Sequence, residues 1–433
     1  MESSLPSTLD FSKKLPELPS GVKATLMSVQ TTNGISFSPS QVLQWDLPAR
    51  KGLFIDGKTA FIRFKISATS TAGTGVFRRK PVYSVFSRLD EFVGSTPCNS
   101  VYLYNQVANM IVDTNYNLAD TLGQQFSWGL SQTAALTDLD GVATSIGAND
   151  LYVSAPLLGS FLPSADKLIP TGLMAPIRIQ LTVDTITNIF NTATDITALT
   201  ISQPELCFSA IDMGADVEDA IAMSSPQLLI KSQGWANATQ GVAAGTAGFN
   251  TLSFNHRYKS IENLYFLSSS SVATKAFNLW GDSFNPMGLA GQIGSIQAMI
   301  GQDVYPQLPI NNATGGVASI QQYLRECVGQ IADNRNSMSI FNVNFNQYAN
   351  GSAASSTDAP AKFIVGFPLS KINSPSPYSQ VSLMSGADAS SMPINVLLNA
   401  GSSFNSNMNF SLIAQYTQVL TIDTTSKQVA VIC

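Results

Sequence analysis

Val153-Ser-Ala-Pro156-Leu157 returns later in the chain as Val365-Gly-Phe-Pro368-Leu369, and the reading of this pair decides the fold. Four further echoes keep the same order. Leu43-Gln-Trp45-Asp46 is answered by Leu252-Ser-Phe254-Asn255, and a helical pattern opening at Val101 by one opening at Val317. Met174-Ala-Pro176-Ile177-Arg-Ile179 is answered by Met392-Pro393-Ile394-Asn-Val396, and Ile211-Asp212 by Ile422-Asp423. The five offsets all lie between 209 and 217 positions. Any one echo is weak, because β-rich sequences produce such matches by composition. Five in one order at one spacing mark an internal repeat, which has to be sought before a fold is named.

Around these echoes strand signals dominate. Ile62, Phe64 and Ile66 alternate with Arg63, Lys65 and Ser67, and Ile177, Ile179, Leu181 and Val183 alternate with polar residues in the same way. That period of two is the mark of a strand with one face buried. Further strands are expected over 36–47, 151–157, 206–211, 251–255, 264–268, 363–367, 394–398 and 418–422, with Gly, Ser, Asn and Pro clusters between them. Helical spacing is confined to 101–115, 317–331 and a shorter stretch at 215–222 where Val217 and Ile221 stand four apart. The expected fold class is therefore all-β: two tandem eight-stranded jelly-roll β-sandwiches with a few short helices in loops. The expected domains are an N-terminal jelly roll over 1–213, with an extension over about 1–33, a linker helix over 214–225, and a C-terminal jelly roll over 226–433.

Composition narrows the function. The 433 residues include 23 Lys and Arg against 28 Asp and Glu, so that only 12% are charged and the net charge is −5. An ordinary globular chain is about 25% charged. The hydrophobic share of 44% is normal, which argues against charge-driven disorder. An acidic balance argues against a surface built to neutralise a phosphate backbone. Residues 1–30 hold Lys13, Lys14 and Lys23 against Glu2, Asp10 and Glu17, so no basic genome-binding arm is expected. No basic stretch followed by an apolar run opens the chain, and no run of about 18 apolar residues is present, so a protein made and folded in a cytosol is expected.

The motifs that could carry chemistry are few. Gly52-Leu-Phe-Ile-Asp-Gly57-Lys58-Thr59 fits the phosphate-loop pattern G-x-x-x-x-G-K-[ST]. That loop needs a helix after it, whereas residues 60–67 alternate as a strand, so a β-turn at Asp56-Gly57 feeding a strand is the better account. The chain has one histidine, His256, which reads as structural or superficial; no G-x-S-x-G elbow and no Asp-Thr-Gly or Asp-Ser-Gly triplet occurs. Cys98, Cys207, Cys327 and Cys433 are scattered, form no C-x-x-C pair and lack histidines to complete a zinc site, so they read as buried free thiols. Arg78-Arg79-Lys80 is the one compact basic cluster and reads as a solvated turn. Sequons at Asn237, Asn312, Asn350 and Asn409 follow from an Asn- and Ser-rich composition. The site expectation is accordingly no catalytic, no cofactor-binding and no metal-ligating residue, and no cofactor.

Three stretches carry a resemblance. They are Trp45-Asp-Leu-Pro48 through Gly52-Leu-Phe-Ile-Asp56 to Thr59-Ala-Phe-Ile-Arg-Phe-Lys65, then Ser84-Val-Phe-Ser-Arg88-Leu-Asp-Glu91 followed by Val101-Tyr-Leu-Tyr-Asn105, and Ala414-Gln-Tyr416 to Val419-Leu-Thr-Ile-Asp423. Together they resemble the double jelly-roll major capsid proteins of polinton-like viruses, virophages and related membrane-containing double-stranded DNA viruses. The resemblance implies a structural protein without catalysis, whose homotrimer forms a pseudo-hexagonal tile of an icosahedral shell. The partners it implies are further copies of the chain, penton and minor capsid proteins and an internal membrane, with no sequence-specific nucleic-acid binding. The place it implies is the virion, after synthesis and assembly in the host cytoplasm or nucleus. Upright barrels would turn the polar stretches 127–150, 282–309 and 349–360 outward.

Two other readings share these features. One is a single jelly-roll capsid protein of a small RNA or single-stranded DNA virus with a projecting domain, which the repeat disfavours. The other is a tandem β-sandwich carbohydrate-binding or adhesion module, for which a secretion signal and clustered aromatics or acids would be expected.

Overall fold

Alternation sets the strands, and their buried faces set the sheets. The structure is a computed structural model that describes residues 21–70, 75–77, 81–115, 127–129, 145–146, 150–190, 196–270, 293–311, 316–327, 364–370, 384–400, 403–404 and 407–433. In chain order the first half holds β1 (Lys23–Gln30), β2 (Ser36–Phe37), β3 (Val42–Asp46), β4 (Leu53–Ser70), β5 (Gly75–Val76), β6 (Phe86–Val93), β7 (Thr96–Tyr102), β8 (Ser145–Ile146), β9 (Leu151–Pro156), β10 (Ile169–Pro170), β11 (Ile177–Val183) and β12 (Ile196–Asp212). The second half holds β13 (Gln227–Val242), β14 (Gly248–Phe254), β15 (Ile261–Ser270), β16 (Ile293–Ile300), β17 (Asp303–Asn311), β18 (Ile364–Pro368), β19 (Ile394–Ala400), β20 (Met408–Asp423) and β21 (Val429–Ile432).

These strands form the same pair of sheets twice. In the first half β1-β12-β4, with β9 also on β4, is one antiparallel sheet, and β3-β11-β6-β7 is the other. In the second half the orders are β13-β20-β15-β18 and β14-β19-β16-β17. Ranked by place in the chain, the eight strands of each half are wired identically, and the connections that cross between sheets are those of a jelly roll. The expected fold class holds: all-β, two tandem eight-stranded jelly rolls. Facing sheets bury alternate residues between them. Phe64 of β4 meets Phe86 of β6 edge-on at 5.2 Å, and the core of the second barrel stacks Phe266 of β15 on Phe410 of β20 at 5.3 Å.

The echoes fall on equivalent elements. Val153 pairs with Phe64 across β9 and β4, and Val365 pairs with Phe266 across β18 and β15. Leu43 and Trp45 pair with Leu181 and Ile179, as Leu252 and Phe254 pair with Val396 and Ile394; all eight are buried. The helix Tyr104–Asn115 follows β7 as Gly316–Cys327 follows β17. The Ile211/Ile422 echo joins the right strands but not the same face. Ile422 is fully buried, whereas Ile211 is half-buried and Ala210 takes the inward place. A slip of one residue exchanges the faces of a strand.

Several expected boundaries move. The 36–47 strand is broken at Ser40, which has a φ of 67° and donates its N–H to Val183 O at 3.0 Å. The 101–115 helix begins at Tyr104, because Val101 still pairs with Leu89 as part of β7 and Leu103 turns the chain with a φ of 50°. The 317–331 helix is described over Gly316–Cys327, and 328–331 lie outside the described residues. The 282–309 stretch expected as an outward loop is, from 293 on, β16 and β17, a hairpin in the β14-β19-β16-β17 sheet. β1 lies within the stretch expected as an N-terminal extension, and β13, with 16 residues, begins where the linker helix ends.

Candidate functional site: the seam between the barrels

An edge strand exposes a row of backbone donors and acceptors, which native proteins cover or blunt. β13 is such an edge, and the first barrel covers it with the segment 159–167. Asp166 N–H donates to Lys231 O at 2.9 Å, and Lys231 N–H donates to Asp166 Oδ1 at 2.9 Å. One step along, Gln233 N–H donates to Ser164 Oγ at 3.1 Å. Lys167 Nζ donates to Leu229 O at 3.1 Å. Trp235, at the middle of β13, is buried where it stacks on Tyr265 at 5.9 Å, and it lies beside Gly159. Beyond it Asn237 Nδ2 donates to Tyr102 O at 3.3 Å and Ser411 Oγ donates to Gln106 Oε1 at 3.4 Å, while toward the other end of β13 Thr96 Oγ1 donates to Val429 O at 3.2 Å. The seam is thus a strand edge sealed by β7, the helix Tyr104–Asn115 and the 159–167 segment.

The 159–167 segment is itself held by a buried acid. Glu91 on β6 has no exposed surface. It accepts from Asn99 Nδ2 at 2.9 Å and Phe161 N–H at 3.0 Å, and also from Ser160 Oγ, while Asn99 Nδ2 reaches Gly159 O at 2.7 Å. Ser160 caps the short helix Phe161–Ser164 through Leu162 N–H at 3.1 Å. Burial pushes the Glu91 carboxyl up to about 7, against the pull of its three hydrogen-bond donors. Burial first, and the neighbouring Glu91 second, also push the Tyr104 hydroxyl up.

The linker helix Ala215–Ser224 is fastened to the first barrel as well. The buried Glu218 carboxylate accepts from Gly52 N–H, and Lys51 Nζ lies 2.8 Å from Asp219 Oδ2. Asp216 and Glu218 in its first turn also suit the positive end of the helix dipole.

The phosphate-loop pattern resolves into packing. Gly52 turns the chain with a φ of 78°, and a Cβ there would lie 2.7 Å from Gly214 C. At Gly57 a Cβ would lie 2.0 Å from Leu162 O, so this glycine lets β4 approach the seam helix. Asp56-Gly57 does not make the expected β-turn before a strand; it opens a bulge inside β4, whose pairing with β12 jumps from Cys207↔Phe61 to Ser209↔Asp56. Thr59 Oγ1 donates to Asp56 O at 2.8 Å within that bulge.

Other singled-out residues are placed as follows. His256 is buried with Nε2 2.8 Å from Leu412 O, and burial holds its imidazole below the ordinary range. Cys98, Cys207 and Cys327 are buried free thiols and Cys433 is half-buried. Asn237 is buried in the seam. Arg78-Arg79-Lys80, Asn312, Asn350, the 349–360 stretch and most of 127–150 lie outside the described residues. Among the described residues no group of three or more His, Cys, Asp and Glu is placed to hold a metal ion. No described helix is long and apolar enough to cross a membrane. An open groove of about 500 Å³ runs over the outer face of β4 and β9, lined in part by Arg63, Lys65, Tyr152, Ser154, Gln203 and Glu205. Its charges are paired: Arg63 Nη2 lies 2.5 Å from Glu205 Oε2, and Lys65 Nζ lies 2.8 Å from Asp150 Oδ2.

Sequence reasoning did not find Glu91, Ser160, Ser164 or Asp166. Their partners lie far away in the chain, and only Ser160, a capping residue before a short apolar run, carried a local signal.

Similarity to known proteins is one of architecture. No protein-family model matches the chain, and no curated protein matches it. Among solved structures, the PBCV-1 virus capsid aligns over 97% of this chain and 99% of its own with a TM-score of 0.62 and 9% identity. The Faustovirus major capsid protein aligns over 95% and 92%, with a TM-score of 0.61 and 11% identity. The mavirus major capsid protein aligns over 99% and 93%, with a TM-score of 0.54 and 11% identity. The chain is a double jelly-roll protein. Its fold is that of these viral major capsid proteins, shared along nearly its whole length.

Proposed function

We propose that this chain is the major capsid protein of an icosahedral virus, a structural subunit without catalysis. The observation that carries the reading is one jelly-roll wiring used twice in a chain and sealed along a strand edge, in an architecture shared end to end with viral capsid subunits. In this reading 1–213 and 226–433 are the two domains and 214–225 is the linker. Three copies bring six similar barrels into a ring, and the resulting pseudo-hexagonal tile packs beside its neighbours. The partners are other copies of the chain, penton and minor capsid proteins, and an internal membrane beneath the shell. The place of action is the virion, after synthesis and assembly in the host cytoplasm or nucleus. A charge content of only 12% suits surfaces that dock on many neighbours, since each buried charge carries a desolvation penalty. Sedimentation of the expressed full chain, followed by electron microscopy, tests the proposal. A trimer that forms hexagonal tiles is expected; a monomer at every concentration and salt would sink it.

A further inference from the structure

The 159–167 segment is a strap with a different task at each end. At its start it closes over Glu91, whose Oε2 accepts from Asn99 Nδ2 at 2.9 Å and from Phe161 N–H at 3.0 Å, while Oε1 meets the Ser160 hydroxyl. At its far end Asp166 and Ser164 hold the edge N–H groups of Lys231 and Gln233 on β13. Phe161 and Leu162 anchor it between, and both are buried. A short stretch of chain thus ties a fully buried acid to the contact between the barrels. Among the described residues the titratable groups that face the acid are Asp90 beside it on β6, Cys98 on β7, Tyr104 on the helix that follows and Tyr416 on β20 of the second barrel; none is a cation. The charged groups of the strap itself, Asp166 and Lys167, are engaged at its far end by Lys231 N–H and Leu229 O. A carboxylate buried without a cation is costly, and a neutral acid is not. The donor set also suits the neutral acid, because the partner of Oε1 is a hydroxyl, which accepts a hydrogen bond as readily as it donates one.

We propose that Glu91 is a proton-held latch on the seam: as the neutral acid it keeps the 159–167 strap closed on β13, and its ionisation with rising pH loosens the strap and bares that edge. The carboxylate gains water only where the strap lifts away, so ionisation favours the open form. Phe161 and Leu162 still hold the strap by burial, so the response is more frequent opening of one segment within a folded chain. In acid the two barrels move as one unit, and above neutrality they part more often along β13. The device belongs to the single chain and does not depend on what the chain assembles into.

Amide hydrogen exchange read by mass spectrometry tests it, in the full chain with and without Glu91→Gln. Parent and variant are compared at the same pH, so the intrinsic pH dependence of exchange cancels. Peptides covering 159–167 and 227–237 carry the Asp166, Lys231 and Gln233 amides, and a peptide covering β19, 394–400, serves as the internal control. Relative to the variant, exchange of the two seam peptides in the parent is expected to rise on the order of 50-fold between pH 5 and pH 8, the linkage of one proton whose carboxyl moves between about 7 and an ordinary 4.5. The control is expected to rise much less. Ser160→Ala removes the hydroxyl that supports the carboxylate, and the rise should then level off at a higher pH. Equal pH dependence of the seam peptides in parent and Glu91→Gln overturns the latch. So does a rise shared equally by 394–400, which would place the effect in the whole fold, or a levelling point that Ser160→Ala leaves unmoved.

Discussion

Asp166 and Lys231, 65 positions apart and in different barrels, exchange hydrogen bonds through the Lys231 backbone, with both distances at 2.9 Å. The pairing imitates an antiparallel ladder, so a loop of the first barrel behaves as one more strand on the edge of the second. Ser164 continues it at Gln233. Removing both side-chain acceptors with Ser164→Ala and Asp166→Ala leaves two edge N–H groups without these partners. A net loss of about 1–3 kcal/mol is expected, since a typical hydrogen bond contributes about 1 kcal/mol and a partly buried orphan costs more. Urea midpoints at constant m-value measure it, and a double variant as stable as the parent would show that the seam is held by apolar contacts alone.

The buried Glu91 makes stability depend on pH. Its carboxyl titrates near 7 in the folded chain against an ordinary 4.5. The folded state therefore holds more protons than the unfolded state between those values, and stability is lost as pH rises from about 4.5 through 7. The full effect is on the order of 3 kcal/mol at 1.36 kcal/mol per pKa unit. Glu91→Gln keeps an acceptor for Phe161 N–H and removes the titration. Denaturant midpoints at pH 5 and pH 8 should fall for the parent and fall distinctly less for the variant; equal falls in both would assign the pH dependence elsewhere.

Gly57 and Lys58 separate packing from phosphate binding. Gly57→Ala pushes a methyl group into Leu162 O, a backbone atom that cannot swing aside, and a loss of about 1–3 kcal/mol is expected. The exposed Lys58 can be changed to Ala within about 0.5 kcal/mol. Thermal melting checks both, and a melting shift on adding ATP that Lys58→Ala abolishes would restore the nucleotide reading.

Thiol reactivity should rank the cysteines by burial. Burial pushes the Cys98 thiol up to about 12 and raises Cys327 as well, which leaves little thiolate at neutral pH. Ellman's reagent on the native protein is expected to modify the half-buried Cys433 first, and Cys98, Cys207 and Cys327 only on unfolding. Fast labelling of Cys98 would show that the β6-β7 edge opens readily.

Glu91, Ser160 and Gly57 show where reading along the chain stops. Each is defined by a partner 69 to 105 positions away: Glu91 by Phe161, Ser160 by Glu91 and Gly57 by Leu162. A hydrogen bond or a close backbone approach to a distant segment leaves no periodic trace. β13 was missed for a related reason. Its inward positions include Ser232 and Gly234, because the Tyr416 ring occupies the space a side chain at Gly234 would need, while the large Trp235 points to the seam. Apolar alternation is erased where the outer face of a strand is buried too.

The amino-acid sequence by itself determined the β class, the two-fold repeat and the inward faces at Leu43, Trp45, Phe64, Val153, Ile177 and Ile179, because burying one side of a strand forces a period of two and duplication preserves it. Only the tertiary structure decided the register of Ile211 against Ile422, the sealing of β13 by Ser164 and Asp166, and the place of β1 next to β12 at the end of its sheet. Those depend on which edges meet in space, and an edge is formed by backbone groups that every residue carries alike.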